Sequence, residues 1–408
     1  MTHPFFFTWQ SQLGAKPIEI TGGEGAYFET PDGRVLDLGG LIYQMNAGHG
    51  ERRIIDAVKA QAERLCVSVP SGVYPEKTAL AKELLAKAPP GYDRVFFCLG
   101  GSDANEHALK IARLVTGRYK VVSRYRSYHG SSMGAVSLTG DWRRTAVEPG
   151  LVGAVHVTDL DQHAGALPNG TAIPRTLSLE ENVAAVFLEP IVGANGVLIP
   201  PDGYYQAVRK ACDEHGALWV ADEVLVGFGR TGKFFALEHF GATPDLITCG
   251  KALTAGYGVL GAVLVHERVS KHFEANTLAT GLTHYAHPLG VAAALAAIRV
   301  YDEDKLVERA AAMEAPLRAM LNGLSASCVT GNRVRGLLAG VDLDLSEAQL
   351  AKLRTALWAR KIHVHVKGEK QLRGHGGAIV LSPPLNIPEE DLAAGVQGIQ
   401  DALMEAST

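Results

Sequence analysis

The chain has 408 residues, of which 47% are hydrophobic, and its 39 basic and 43 acidic residues give a net charge of −4. A chain of this length buries more than one core, so we expect one large domain with a smaller one beside it. Acids and bases are mixed along the sequence, which offers no basic patch for nucleic acid and no polybasic anchor for a membrane.

The cysteines and the N-terminus indicate the compartment. The five cysteines are scattered without paired spacing, so neither disulfides nor a zinc site is expected. Met1 to Gln10 has no basic start followed by an apolar core, and no apolar run is long enough to cross a membrane. We therefore expect an untargeted cytoplasmic protein.

The first predicted element is a hairpin over Gly23 to Leu38 that turns at Pro31-Asp32-Gly33. From about Arg52 to His287 predicted helices and strands alternate, which is typical of a doubly wound, mostly parallel sheet. The predicted helices are Ile54 to Leu65, Ala104 to Leu114 and Tyr204 to His215. The predicted strands are Val95 to Leu99, Lys120 to Ser123, Val183 to Leu188, Ala217 to Val220, Leu246 to Cys249 and Gly261 to His266. Prolines and a glycine between Leu160 and Leu179 predict a surface loop there.

One strand in this alternation leads through a glycine turn into a helix. Val95 to Leu99 is followed by Gly100-Gly101-Ser102-Asp103 and then by the helical pattern of Ala104 to Leu114. Glycines allow close backbone approach, and free N–H groups at a helix start attract a phosphate. An ordinary helix capped by Ser102 or Asp103 would have the same sequence, so the turn by itself leaves both interpretations open.

Two later strands lead into charged side chains. Leu218 to Ala221 precedes Asp222, and Leu246 to Cys249 precedes Lys251. Ligands of open α/β sheets lie beyond the carboxyl ends of the strands, so both charges should face one crevice. A lysine beside a buried acid suits pyridoxal phosphate, because the amine forms a Schiff base with the aldehyde and the acid keeps the pyridine nitrogen protonated. The alternative is a structural ion pair at the sheet edge.

The stretch Gly227 to Gly232, which reads GxGxxG and is followed by Asp245, allows an alternative interpretation as a different class of enzyme. A nicotinamide dehydrogenase uses such a string, but its first glycine stands directly at the strand end and opens a helix. Here Asp222 and Glu223 intervene, which argues against a dehydrogenase. The histidines lack paired ligand spacing, so no metal site is expected at His49, His129, His284 or His287.

After Pro288 an alanine-rich helix leads into a second α/β region from Leu306 to the C-terminus, with strands predicted near Gly336 to Leu343, Ile362 to Val366 and Ala378 to Leu381.

In order and spacing, these motifs resemble the class III aminotransferases, pyridoxal phosphate enzymes of fold type I. The matching segments are Leu188-Glu189-Pro190, Pro200 to Tyr204, Ala221 to Val224, Gly227 to Gly232 and Gly250 to Leu253. Gly101 to Glu106 is similar to the family's phosphate loop, Tyr128-His129-Gly130 to its ring-stacking turn, and Gly281-Leu282-Thr283 to its subunit-crossing segment. The resemblance implies a doubly wound large domain, 51–290, and a small α/β domain made of 1–50 and 291–408.

The resemblance also implies cofactor-binding roles. Lys251 would hold pyridoxal phosphate as a Schiff base and transfer the proton during the reaction, and Asp222 would pair with the ring nitrogen. Glu189 would support that network beside the ring. The remaining contacts would be Val224 and Tyr128 on the two ring faces, His129 next to Tyr128, and Gly101, Ser102 and the partner subunit's Thr283 on the phosphate. Since Thr283 acts in trans in this scheme, we expect a homodimer.

Departures from the family pattern bear on the substrates. Leu225 and Ala194 stand where many 2-oxoglutarate-using members have glutamine and glutamate, and Val380 stands where their arginine would be. Arg373 lies at the distance before Pro383-Pro384 at which the branch of ω-amino acid and amine:pyruvate aminotransferases has a mobile arginine. Arginine suits a carboxylate because its fork donates two parallel hydrogen bonds. A solvated loop arginine is the alternative.

The stretch Arg124 to Gly130 is most similar to taurine aminotransferases. Arg126 would then reach a distal acid on the donor, and Tyr43 would form an aromatic wall of the donor pocket. The alternative for Arg126 is a salt bridge at the surface or at a subunit interface, and the alternative for Tyr43 is core packing. We predict amino transfer from an ω-amino acid of the taurine or β-alanine type, or from a primary amine, to a keto acid, with pyruvate before 2-oxoglutarate. An aminomutase or racemase would use the same cofactor residues and stays open.

Overall fold

The computed structural model describes residues 3–158, 160, 171–372 and 376–407. Its strands are β1 Gly22–Glu24, β2 Tyr27–Thr30, β3 Gly33–Asp37, β4 Tyr92–Cys98, β5 Lys120–Arg124, β6 Ala154–Val157, β7 Val183–Leu188, β8 Leu218–Asp222, β9 Leu246–Cys249, β10 Gly261–His266, β11 Val329–Arg335, β12 Leu338–Leu343, β13 Ile362–His363, β14 His365–Lys367 and β15 Gly377–Leu381.

The α-helices are α1 Gly40–Tyr43, α2 Arg52–Arg64, α3 Pro75–Lys87, α4 Gly101–Thr116, α5 Met133–Leu138, α6 Trp142–Thr145, α7 Ala172–Leu179, α8 Tyr204–His215, α9 Glu267–Ser270, α10 Pro288–Glu303, α11 Leu306–Ala312, α12 Glu314–Asn322, α13 Glu347–Ala359, α14 Glu369–Leu372 and α15 Glu389–Ser407. Short 3-10 helices span Ala236–His239, Lys251–Thr254 and Lys271–Glu274.

A seven-stranded sheet with the order β4-β10-β9-β8-β7-β5-β6 forms the centre of the fold. Its strands pair in parallel from β9 through β6, whereas β10 runs antiparallel to both β4 and β9. Every residue of β7 is buried, as expected for a parallel strand that is covered on both faces. The predicted doubly wound, mostly parallel sheet is therefore confirmed.

Two four-stranded sheets complete the fold, with the orders β1-β2-β3-β13 and β11-β12-β15-β14. The N-terminal hairpin joins the C-terminal region because β3 pairs in parallel with β13, with Leu36 opposite Ile362. The single strand predicted over Ile362 to Val366 was wrong: β13 pairs with β3, whereas β14 leaves that sheet and pairs with β15. The chain changes sheet at Val364. The domain limits 1–50, 51–290 and 291–408 stay a prediction.

The loop predicted for Leu160 to Leu179 was also wrong over its second half. Ala172–Leu179 forms a helix that buries Ile173 and Leu177. Pro174 interrupts the apolar pattern, but it lies in the first helical turn, where its missing N–H costs no intrahelical hydrogen bond. Residues 161–170 of the predicted loop lie outside the described residues.

Helix α4 begins at Gly101, three residues before its predicted start, and neither Ser102 nor Asp103 caps it. The Asp103 carboxylate instead accepts the backbone N–H of Leu99 at 2.9 Å. Among the described residues, no helix is long and apolar enough to cross a membrane. The same part of the chain contains no group of three or more His, Cys, Asp or Glu residues placed to hold a metal ion.

Candidate active site

A cavity of about 380 Å³ opens where four strands of the large sheet end. Gly101 follows β4, Glu189 follows β7, Asp222 ends β8 and Lys251 follows β9. Nine of the twelve residues predicted for the site line this cavity, namely Tyr43, Gly101, Ser102, Tyr128, His129, Glu189, Asp222, Val224 and Lys251. The structure thus places the predicted lysine and acid in one crevice.

Lys251 has an unusual backbone conformation. Its φ of 45° lies in the left-handed region, which costs a residue with a Cβ atom about 1–2 kcal/mol. Removal of the amine from bulk water lowers its pKa, while the nearby carboxylates of Asp222 and Glu189 act in the opposite direction. A lowered pKa increases the fraction of neutral amine at neutral pH, and the neutral amine is the nucleophilic form.

Asp222 is buried and held by three donors. Its Oδ2 accepts from His129 Nδ1 at 2.8 Å and from Asn105 Nδ2 at 2.8 Å, and its Oδ1 accepts from Val224 N at 3.1 Å. Asn105 is itself fixed by the Thr248 hydroxyl, which donates to Asn105 Oδ1 at 2.8 Å. The carboxylate therefore has one well-defined orientation in the cavity.

Glu189 positions the backbone of the loop that carries Tyr128. Its Oε1 accepts from Tyr128 N at 3.1 Å and its Oε2 from Gly193 N at 2.9 Å. Burial raises the pKa of this carboxyl, and His129 and the two backbone donors act against that rise. The Tyr128 ring is covered on its outer side by Arg143, whose Cζ lies 3.9 Å from the ring centroid.

Glu223, next to the site acid, does not line the cavity. It is fully buried and accepts from Ala236 N at 3.0 Å and Leu237 N at 2.8 Å. Burial raises the pKa of this carboxyl to about 8. Of the two adjacent acids at the end of β8, Asp222 therefore serves the cavity and Glu223 fixes the following loop.

The start of α4 forms a narrow, backbone-lined floor. A Cβ atom at Gly101 would lie 2.4 Å from Val224 Cγ1, and one at Gly130 would lie 2.4 Å from Ser102 Oγ. Gly130 also has a φ of +136°. Only glycine fits at these two positions, and the first N–H groups of a helix have no intrahelical acceptor. This floor can therefore bind an anion.

These features fit pyridoxal phosphate. The helix start would bind the phosphate, Asp222 would face the ring nitrogen, and Lys251 lies in the same cavity to react with the aldehyde. Val224 and the aromatic ring of Tyr128 are available to enclose the flat ring.

The outer part of the cavity was not found by sequence reasoning. The missed lining residues are Trp9, Ile42, Trp142, Arg143, His365, Lys367 and Gln371, whereas Ala194 and Leu225, which also line the cavity, were singled out from the sequence. Trp9 comes from the irregular N-terminal segment, Trp142 and Arg143 from α6, and His365 and Lys367 from β14.

Two of the other predicted residues, Arg126 and Thr283, do not line the cavity. Arg126 is buried, and its Nη2 donates to Asn195 O at 2.6 Å. Thr283 is exposed in the single chain. Arg373 lies outside the described residues.

The stretch Gly227 to Gly232 does not have the shape of a dinucleotide-binding turn. It forms a buried loop of turns, and no helix starts there. Arg230, within this loop, is fully buried, and its guanidinium donates to Asn46 Oδ1 at 2.6 Å and to Leu337 O at 3.1 Å. The loop therefore ties the large sheet to the C-terminal region.

The chain is similar to aminotransferases over nearly its whole length. The class-III aminotransferase family matches residues 10–403. Acetylornithine aminotransferase of Mycobacterium tuberculosis is 37% identical and covers 98% of this chain and 96% of its own length. Omega-aminotransferase of Caulobacter vibrioides is 32% identical and covers 97% of this chain and 96% of its own length.

A solved structure has the same architecture. The taurine:2-oxoglutarate aminotransferase from Bifidobacterium kashiwanohense, in complex with pyridoxal phosphate and glutamate, superimposes with a TM-score of 0.91 and 35% sequence identity. The match covers 98% of this chain and 95% of that chain. The resemblance predicted from the sequence motifs, and the fold that it implied, are confirmed.

Proposed function

The chain belongs to the class III aminotransferase family, whose members depend on pyridoxal phosphate. Within this family, we propose the amino donor and the acceptor of its reaction. We infer that the donor is an ω-amino acid of the taurine or β-alanine type, or a primary amine, and that the acceptor is a keto acid, with pyruvate favoured. The observation that supports an aminotransferase reaction is the position of Lys251, which lines the same cavity as the fixed carboxylate of Asp222.

When bound, pyridoxal phosphate supplies a ring that withdraws electrons from the substrate carbon. Lys251 would hold the cofactor through its amine, and the same amine, when free, would move a proton to and from the reacting carbon of the substrate. Its position in the cavity replaces a collision in solution by an intramolecular step. Asp222, held by His129 and Asn105, would keep the ring nitrogen protonated. Tyr128 and Val224 would enclose the ring from its two sides.

The outer wall supports pyruvate as the acceptor. Leu225 and Ala194 line the cavity with apolar side chains where polar groups would be needed by a second carboxylate. A buried carboxylate without a partner pays a large desolvation penalty, so a small acceptor fits this wall better. The second candidate acceptor is 2-oxoglutarate, since the taurine aminotransferase of similar structure is named with that acceptor.

Two arginines remain candidates for binding the acid groups of the substrates. Arg373 is the candidate for the carboxylate of the acceptor, and Arg126 is the candidate for a distal acid on the donor.

We also propose that the active protein is a homodimer, in which Thr283 of each subunit contacts the phosphate in the other subunit's site. Thr283 is exposed in the single chain, which is compatible with a contact across an interface. The cytoplasmic location stays a prediction.

The test is a donor and acceptor screen with the cofactor-loaded protein. In a single turnover without acceptor, a matching donor should release about one equivalent of aldehyde or keto acid per site. Steady-state kcat/KM should then be higher with pyruvate than with 2-oxoglutarate. A donor returned inverted or rearranged without net transfer would favour the racemase or aminomutase instead. A preference for 2-oxoglutarate would reject the acceptor assignment but not the aminotransferase.

A further inference from the structure

Lys367 places a cation in the cavity wall without a partner. It ends β14, is partly exposed and lines the cavity. Its ammonium lies 5.5 Å from the ring centroid of Tyr43. In the part of the chain that the structure describes, Lys367 Nζ makes no hydrogen bond and no ion pair. A partly desolvated ammonium with no anion is costly, unless a ligand supplies the anion.

The other charged side chains of the cavity are already engaged. Arg143 is paired with Asp141, whose Oδ1 accepts from Arg143 Nε at 3.0 Å. Asp222 is held by His129, and Glu189 accepts two backbone N–H groups. In the proposed function, Lys251 is bound to the cofactor. Lys367 is therefore the cation of the described lining that is available to a substrate.

A second group on the same wall also lacks a partner. The Tyr43 hydroxyl is buried, and among the described residues nothing accepts from it or donates to it. Its ring is fixed by His365, at 4.1 Å between the ring centroids. Burial of a hydroxyl without a hydrogen bond costs free energy, so this group, like Lys367, is arranged for a ligand atom.

We propose that Lys367 and the Tyr43 hydroxyl form the subsite that binds the acid group of the substrate, a carboxylate or a sulfonate. The proposal rests on the proposed function, because it names the residues that select acid-bearing amines or keto acids within that reaction. An ammonium and a hydroxyl together donate charge-assisted hydrogen bonds to an oxyanion, and these are stronger than bonds between neutral groups.

The electrostatics around Lys367 agree with this geometry. Desolvation lowers the pKa of Lys367 to about 8, and the nearby positive charge of Arg143 contributes to this decrease. Asp141 raises the pKa, whereas the more weakly acting Arg354 and Lys251 lower it further. Burial also lowers the pKa of His365 well below its usual range, so this neighbour is neutral and does not compete for the anion. A bound acid would stabilise the charged form of Lys367 and so raise its pKa again.

The experiment compares matched substrates with and without the acid group. β-Alanine is compared with propylamine as donor, and pyruvate with propanal as acceptor. Lys367→Met should lower kcat/KM for an acid-bearing substrate about 10- to 100-fold, as expected for one charge-assisted bond, and change the uncharged partner less than about threefold. The donor pair and the acceptor pair show separately which half-reaction uses the subsite. Lys370→Met, three residues further on and exposed, is the control.

The charge-conserving variant keeps the test independent of folding. Lys367→Arg should retain the preference for acids. In the wild type, the ratio of kcat/KM for pyruvate to that for propanal should fall above about pH 8, where Lys367 loses its proton. In Lys367→Arg that ratio should stay level.

Several results would overturn the proposal. Equal losses for acid and uncharged substrates in Lys367→Met would indicate a structural lysine. A ratio that does not change with pH in the wild type would mean that its charge is not used. Loss of the acid preference in Arg373→Met, with Lys367→Met unaffected, would assign the subsite to Arg373. If the wild type transaminates no donor at all, the proposed function fails first, and that outcome is visible before any variant is made.

Discussion

His129 donates through Nδ1 to Asp222 Oδ2 across 2.8 Å, and both side chains are almost fully buried. The histidine thus lies behind the carboxylate that the family relationship places at the cofactor ring. Asn105 shares the same acceptor oxygen, so the orientation of Asp222 depends on side-chain donors from two different segments of the chain.

Replacement of His129 by phenylalanine keeps a ring of similar shape but removes this donor. Asp222 then loses one charge-assisted hydrogen bond, and we expect kcat/KM to fall about 10- to 100-fold together with weaker cofactor retention. The measurements are turnover and the cofactor content after dialysis. His239→Phe is the control, because His239 binds Thr231 O outside the cavity. Unchanged turnover in His129→Phe would show that Asn105 and the Val224 N–H hold the carboxylate without the histidine.

The backbone at Lys251 leads to a stability prediction. Lys251→Ala and Lys251→Gly should both lack turnover, and neither should bind the cofactor through a bond that borohydride reduces. They should differ in stability: the φ of 45° suits glycine, so Lys251→Gly should exceed Lys251→Ala by about 1 kcal/mol in the free energy of unfolding. Urea unfolding of the two cofactor-free variants measures the difference. A more stable alanine variant would mean that the residue relaxes out of the left-handed region.

The pKa of Glu223 leads to a pH prediction. Its folded-state pKa of about 8 lies above the unfolded value of 4.5, so between these values the folded protein holds a proton that the unfolded chain has released. Stability from this group therefore declines as pH rises from about 5 to about 8 and changes no further above that. The decline should amount to a few kcal/mol at most.

Glu223→Gln cannot ionise, so the free energy of unfolding of the wild type minus that of the variant should decrease over this pH range. The variant itself should be less stable at low pH, because its amide cannot accept from both Ala236 N and Leu237 N. Urea titrations at several pH values test this, with the exposed Glu63→Gln as control. A difference that does not depend on pH would show that Glu223 is ionised throughout.

The position of Thr283 is tested by mixing subunits. Thr283→Ala should weaken cofactor retention by about 1.5–3 kcal/mol, the range of one charge-assisted hydrogen bond. In a heterodimer with a Lys251→Ala subunit, a contact in trans puts both lesions in one site and leaves the other site intact. Activity above that of either parent is then expected. Absence of this recovery in a verified heterodimer would place Thr283 in its own subunit's site or outside any site.

The inner half of the cavity was predictable because its residues follow regular elements. Asp222 and Lys251 come directly after buried strands whose apolar runs are visible in the sequence, and the strand ends of a parallel sheet converge. Gly101 was found by the same logic, although α4 starts three residues earlier than its periodicity indicated. For these residues local pattern and tertiary position agree.

The outer half depends on contacts that no local pattern encodes. Trp9 comes from an irregular N-terminal segment, and His365 and Lys367 reach the cavity because the chain changes sheet at Val364. Continuous alternation from Ile362 to Val366 hides that change. Arg126 was assigned from the similarity of Arg124 to Gly130 to taurine aminotransferases, but its guanidinium donates to Asn195 O, which is close only in the fold.

The parallel pairing of β3 with β13 also determines when the protein can be completed during its synthesis. Asp37 receives one of its hydrogen bonds from His363, a residue 326 positions later. At roughly 5–20 residues per second, the N-terminal hairpin waits on the order of tens of seconds on the ribosome before the strand that covers its edge emerges. During that interval the hairpin presents unpaired N–H and C=O groups that can associate with other chains. The wall that carries Tyr43 and Lys367 can therefore form only when translation is almost finished.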